Sequence, residues 1–120
     1  MFGLQPGDPA YAGLEHIIVS KSLSFESNHE VKLINNGELS FLQQLKMKKG
    51  KDIWLCGGGH LAGFMLKHNL IDELVLKINP IILGEGISLF EEVGRSSTWH
   101  PAGSKTYSNG VVLHRYKLMN

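Results

Sequence analysis

Three consecutive glycines, Gly57-Gly58-Gly59, follow the apolar run Asp52-Ile53-Trp54-Leu55-Cys56 and precede a second apolar series, Leu61, Ala62, Phe64, Met65 and Leu66. Such a bend has a direct chemical use. Backbone without side chains lets an anion approach the free N–H groups and positive end of a helix, and phosphate is the natural guest. The same residues also serve as a tight turn with close helix-to-sheet packing, and spacing alone leaves both readings open. Gly57-x-Gly59-x-x-Ala62 has the form of the dinucleotide fingerprint. That fingerprint also needs an acid at the far end of the next strand to hold a ribose, whereas Asp72-Glu73 precede the strand here and Asn79-Pro80 end it. No Gly-Lys-Ser/Thr follows at the required spacing, which excludes a P-loop.

Other chemistry is weaker. Cys56 and His60 have the composition of a thiolate-imidazole pair near a helix start, but no third group orients them, and a packed thiol at the end of an apolar strand is the commoner case. Asp72 and Glu73, adjacent at a strand entry, point to opposite faces and read as solvated or capping carboxylates rather than an acid/base pair. His16, His29, His60, His68, His100 and His114 are scattered without a His-x-x-x-His spacing, so no metal site is expected. No single residue is named as catalytic.

The elements that must position the glycines follow from periodicity. Ile17-Ile18-Val19 and Val31-Lys32-Leu33-Ile34 read as short strands. Leu39, Phe41, Leu42 and Leu45 recur at helical spacing over 38–49, with Asn36 or Gly37 to cap the start, Gly50 to end it, and Lys46, Lys48, Lys49 and Lys51 at the negative end of the dipole. Residues 52–56 read as a strand buried on both faces, followed by a helix ending near His68-Asn69 and a strand over 74–78, together a βαβ unit. Asn109-Gly110, between two strand-like runs, signals a hairpin. Residues 1–15, with Pro6, Gly7, Pro9 and Gly13, read as an irregular lead-in.

The chain of 120 residues therefore reads as a single α/β domain with a mostly parallel sheet, flanking helices and a C-terminal antiparallel hairpin. Its 12 Lys+Arg against 11 Asp+Glu divide evenly between the halves, leaving neither a basic face nor an acidic tail, which disfavours a nucleic-acid partner. One cysteine excludes an internal disulfide and fits a cytoplasmic setting. No stretch reaches the ~18 apolar residues of a membrane span, and neither export nor membrane insertion is indicated.

Residues 52–63 (DIWLCGGGHLAG), 70–74 (LIDEL) and 80–90 (PIILGEGISLF), in that order, resemble the dihydrofolate reductase superfamily. The match is specifically to the C-terminal reductase domain of riboflavin-pathway deaminase-reductases and its stand-alone relatives, and it runs from about His16 to Leu118. The resemblance implies an NADPH-dependent oxidoreductase of the 5-amino-6-(5-phosphoribosylamino)uracil reductase type, acting on a small pteridine- or pyrimidine-like substrate. It implies Gly57, Gly58 and Gly59 around the diphosphate, with His60, Leu61 and Ala62 completing the wall. Ser20-Lys21 would stand at the adenosine 2′-phosphate, where the family carries Ser-Arg, and Leu83, Gly84 and Gly86 would border the substrate side. Cys56 stands where riboflavin-pathway members carry Glu, which favours a stand-alone relative. The family's opening strand with a Ser-Leu-Asp-Gly-like motif, and its Gly-Arg-Lys-Thr-like segment, have no counterpart, so the chain reads as the C-terminal portion of an N-terminally truncated domain. A sheet lacking central strands exposes backbone and an apolar face, so a homodimer or another association covering that sheet is expected. The alternative to a reductase is a remnant or nucleotide-binding module that keeps the fold without turnover.

Overall fold

The structure is a computed structural model and describes residues 11, 13–28 and 30–118. Most of the irregular lead-in read over 1–15, and His29 among the histidines, lie outside the described residues. The chain forms two compact units, Met1–Gly50 and Lys51–Asn120.

In the first unit, the two β-branched runs form strands β1 (His16–Val19) and β2 (Val31–Ile34). They pair in parallel, His16 opposite Val31 through Val19 opposite Ile34. Helix α1 (Glu38–Met47) starts from Gly37, whose φ of 69° is a left-handed conformation that glycine adopts without a steric penalty. Glu38 in its first turn and Lys46 in its last complement the helix dipole. The helix ends two residues before the expected 49, because Lys48 turns extended at φ −71°, ψ 142°. Lys46 alone of the four lysines therefore falls in the last turn, which corrects the sequence expectation. Val31 and Leu42 are the buried residues of this unit among those described.

The second unit contains helix α2 (Gly59–Lys67) and strands β3 (Glu73–Ile78), β4 (Trp99–Thr106) and β5 (Val112–Leu118). Helix α2 buries Ala62, Gly63, Met65 and Leu66. Its C-terminus closes with Asn69 at φ 58°, with the N–H of Leu70 on Met65 O (2.8 Å) and that of Asn69 on Leu66 O (3.1 Å). This is the reversal that satisfies the last carbonyls of a helix, and Leu70, which follows it, is buried. The strands form an antiparallel sheet in the order β3-β5-β4. The expected hairpin is present: Gly110 N–H bonds to Tyr107 O (3.0 Å) and Tyr107 N–H to Val111 O (2.8 Å). Gly110, at φ 89°, takes the left-handed position.

Residues 52–56 depart from the sequence reading. They form no strand, Ile53 is 51% exposed and Trp54 85% exposed, and Cys56 is an exposed free thiol rather than a packed one. A strand exists only against a neighbour's backbone, and the described strands of this unit pair with one another. Parallel pairing is confined to β1 and β2 among the described strands. The α/β class with flanking helices and a terminal hairpin holds. No helix of the described residues is long and apolar enough to cross a membrane.

The even charge division also hides a basic face. Cross-strand register puts Lys77, Lys105, Arg115 and Lys117 on one exposed face of the β3-β5-β4 sheet. Summing charge along the sequence does not detect a face assembled from three strands.

Candidate functional site

Helix α2 begins immediately after the glycines. Gly58 is its N-cap, and the first intrahelical bond is Ala62 N–H to Gly58 O, 2.9 Å. The N–H groups of Gly59, His60 and Leu61 precede that bond, as the first amides of every helix do. No side chain caps the start and no acid lies in the first turn. A Cβ built at Gly57, which has φ 127°, or at Gly58 would meet nothing within 4 Å, so the bend is open to an approaching group. The Gly57–Gly58 peptide is cis. Open backbone, free amides and a positive helix end together fit an anionic group such as a diphosphate.

The opposite side of the same turn is closed. A Cβ at Gly59 would collide with the Ser88 carbonyl, and one at Gly63 with the Glu91 carbonyl. Gly59 and Gly63, one turn apart, thus form a bare strip along which the chain at 88–91 lies directly on the helix. Glu91 N–H donates to Gly59 O (3.0 Å), and Glu92 Oε2 lies 3.5 Å from His60 Nδ1. Glu92 itself has φ 55°, a strained value for a residue with a side chain. At the other end of α2, Arg95 Nη2 donates to Leu66 O (3.3 Å), Lys67 O (3.3 Å) and Asn69 Oδ1 (2.8 Å). Residues 88–95 therefore run as a strap along the whole helix.

Each residue expected at a cofactor site can now be located. Gly57 to Ala62 are contiguous at the start of α2, with His60 exposed and Ala62 buried. Leu83, Gly84 and Gly86 belong to the exposed, irregular loop that leads into the strap. Leu83 is 75% exposed and Gly84 has φ 83°. Ser20 and Lys21 belong to the first unit, directly after β1. Ser20 N–H bonds to Ile34 O (3.1 Å), and its hydroxyl accepts the N–H groups of Ser22 (3.3 Å) and Leu23 (3.1 Å), a turn that leaves Lys21 exposed. Sequence reading missed Ser88, Glu91, Glu92 and Arg95. The available signal was the Gly59-x-x-x-Gly63 spacing, which marks close backbone approach to a helix face.

Residues 12–113 match the family described as the RibD C-terminal domain. Among curated proteins, the chain is 36% identical over 91 residues to the uncharacterized protein YwjB of Bacillus subtilis (strain 168), covering 76% of this chain and 52% of the relative. It is 38% identical over 87 residues to the uncharacterized protein YyaP of the same organism, covering 72% and 46%. The chain thus spans about half the length of the curated relatives it matches. Among solved structures, a protein from Shewanella sp. PV-4 assigned to riboflavin biosynthesis superposes with a TM-score of 0.76 at 23% identity, over 96% of this chain and 66% of that one. A pyrimidine reductase-like protein from Corynebacterium diphtheriae NCTC superposes at 0.61 and 20% identity, over 87% and 50%. At these identities the superpositions establish the fold, which this chain shares with the matched part of both proteins.

Proposed function

The chain belongs to the RibD C-terminal domain family, and from that premise we propose that it is an NADPH-dependent reductase acting on a small pteridine- or pyrimidine-like substrate. The observation that carries the reading is the start of α2. There Gly57 and Gly58 leave open backbone, and the amides of Gly59, His60 and Leu61 face a helix end with no capping side chain and no acid in its first turn. A diphosphate accepts those amides and sits at the positive end of the dipole. The family relation and the pyrimidine reductase-like neighbour support the substrate class. When bound, the nicotinamide supplies the hydride, and the protein's part is to hold, orient and exclude water. In this assignment His60 and Leu61 bind through their backbone, and buried Ala62 packs beneath them. The family resemblance, rather than geometry, assigns Leu83, Gly84 and Gly86 to the substrate side and Ser20-Lys21 to the adenosine 2′-phosphate, with Lys21 supplying a point charge where an arginine would grip with two donors.

Association is part of the proposal. Ile53, Trp54, Ile82 and Ile87 are each more than half exposed, and these uncovered apolar side chains support the expected association, a homodimer that buries them. A second reading, a nucleotide-binding module without turnover, is favoured by the run at 52–56, which forms no strand beside the glycine turn. Calorimetric titration with NADPH and NADH tests the first reading, with Gly58→Asp as control because a carboxylate there repels a diphosphate. NADPH binding that Gly58→Asp abolishes supports it, and absence of binding by either nucleotide removes it. Oxidation of bound NADPH by pterins or aminopyrimidines then separates the reductase from the module.

A further inference from the structure

We infer a second anion site, separate from the glycine turn, in the hollow where the β4-β5 hairpin meets β3, suited to a phosphate monoester on a small aromatic body. The argument begins with register. Glu73, Lys117 and His100 stand across one row of the sheet, Val75, Arg115 and Gly103 across the next, and Lys77, Leu113 and Lys105 across the third. Directly opposed residues of antiparallel strands share a face, and eight of these nine are exposed, Leu113 being half-buried. Four cations thus share the face with one acid, Glu73, placed in the row farthest from Lys77 and Lys105. Among the described residues no carboxylate forms an ion pair with any of the four. Arg115 is a diagonal neighbour of both Lys77 and Lys105, at roughly 7–8 Å, a spacing at which like charges repel and a bound anion relieves the repulsion.

At the hairpin end of this face lies a hollow of about 300 Å³ lined by Lys77, Tyr107, Asn109, Val111 and Leu113. Its donors and its floor are distinct. Asn109 Oδ1 accepts the Val111 N–H at 3.1 Å, which fixes the amide and leaves its NH2 group as a donor. Lys77 adds an ammonium and Tyr107 a hydroxyl, while buried Val111 and half-buried Leu113 form an apolar floor. Lys105 Nζ sits 5.0 Å from the centre of the Tyr107 ring, so a second ammonium is held at the rim by its attraction to the aromatic face. Two cations and two neutral donors match a dianionic phosphate, and the floor matches a flat apolar body. The volume is at the lower limit of small-molecule pockets, which favours a single small ligand over a polymer.

The test is an amide-resolved NMR titration of the full chain with phenyl phosphate and, separately, inorganic phosphate at constant ionic strength. Because neither probe carries a nicotinamide, the outcome is independent of the proposed reductase activity. Saturable shifts at Lys77 and across 107–113, with phenyl phosphate tighter than inorganic phosphate, are expected. Lys77→Gln weakens binding about tenfold and Lys77→Arg restores it. Asn109→Asp, which keeps the acceptor for Val111 N–H but replaces the donor with a charge, abolishes binding while leaving the rest of the spectrum unchanged. Absence of shifts at these residues overturns the inference. So does equal affinity for the two probes with shifts spread over Arg115 and Lys117, which is a diffuse counter-ion effect. A marked preference for a single-stranded oligonucleotide or for anionic vesicles over phenyl phosphate overturns it as well.

Discussion

Gly63→Ala sets two physical effects against each other. In an exposed helix interior alanine is favoured over glycine by up to about 1 kcal/mol, so helix propensity alone makes the variant more stable. The strap reverses the sign. A Cβ at this position lands on the Glu91 carbonyl, with Glu91 C at 2.8 Å and N at 3.0 Å, and these are backbone atoms that cannot rotate away. Relief requires the strap to lift, at an overpacking cost of about 1–3 kcal/mol. It also loses the Glu91 N–H bond to Gly59 O, worth about 0.5–1.5 kcal/mol. The balance is a net destabilisation of roughly 1–3 kcal/mol. Urea unfolding of wild type and variant measures it, with Gly50→Ala as the control. A Cβ at Gly50 meets open space and its φ is not positive, so that change is neutral or slightly stabilising. A Gly63→Ala protein as stable as wild type, or more so, refutes the placement of the strap on α2.

Three further predictions follow from the same geometry. Arg95→Ala removes the donor shared by Leu66 O, Lys67 O and Asn69 Oδ1. It costs about 1 kcal/mol because the site is largely exposed, and hydrogen exchange accelerates first in the last turn of α2. Glu91→Gln removes a carboxylate oxygen lying 3.2 Å from the Cβ position of Gly59, so a diphosphate probe binds about twofold more tightly by calorimetry; weaker binding contradicts the electrostatics assigned to the turn. The Cys56 thiol is exposed and reacts stoichiometrically with a disulfide reagent in the native protein. Protection that appears as protein concentration rises indicates that association covers the run at 52–56, and protection at every dilution contradicts its exposure in the single chain.

What was legible in the sequence depended on the range over which the signal acts. The strands at Ile17-Ile18-Val19 and Val31–Ile34, helix α2, β3 and the Asn109-Gly110 turn appear where local periodicity and turn chemistry put them. The triple glycine likewise sits at the start of α2. Residues 52–56 show the limit. Their apolar run records a demand for burial on two faces, but a ladder partner is a property of other chain segments. The strap was invisible for a related reason, since 88–95 has no regular structure and its contacts span nearly thirty residues, as between Arg95 and Leu66. The basic face needed both the register of three strands and the alternation within each, and Lys77, Lys105 and Arg115 are too far apart in sequence for either to be read directly.

The central claim, that the glycine turn and first amides of α2 receive a nicotinamide dinucleotide, is tested most directly by amide hydrogen exchange with and without NADPH. Protection concentrated at Gly59, His60 and Leu61, and absent in Gly58→Asp, is the predicted result. Exchange at those three amides that NADPH leaves unchanged, or protection confined to other segments, contradicts it.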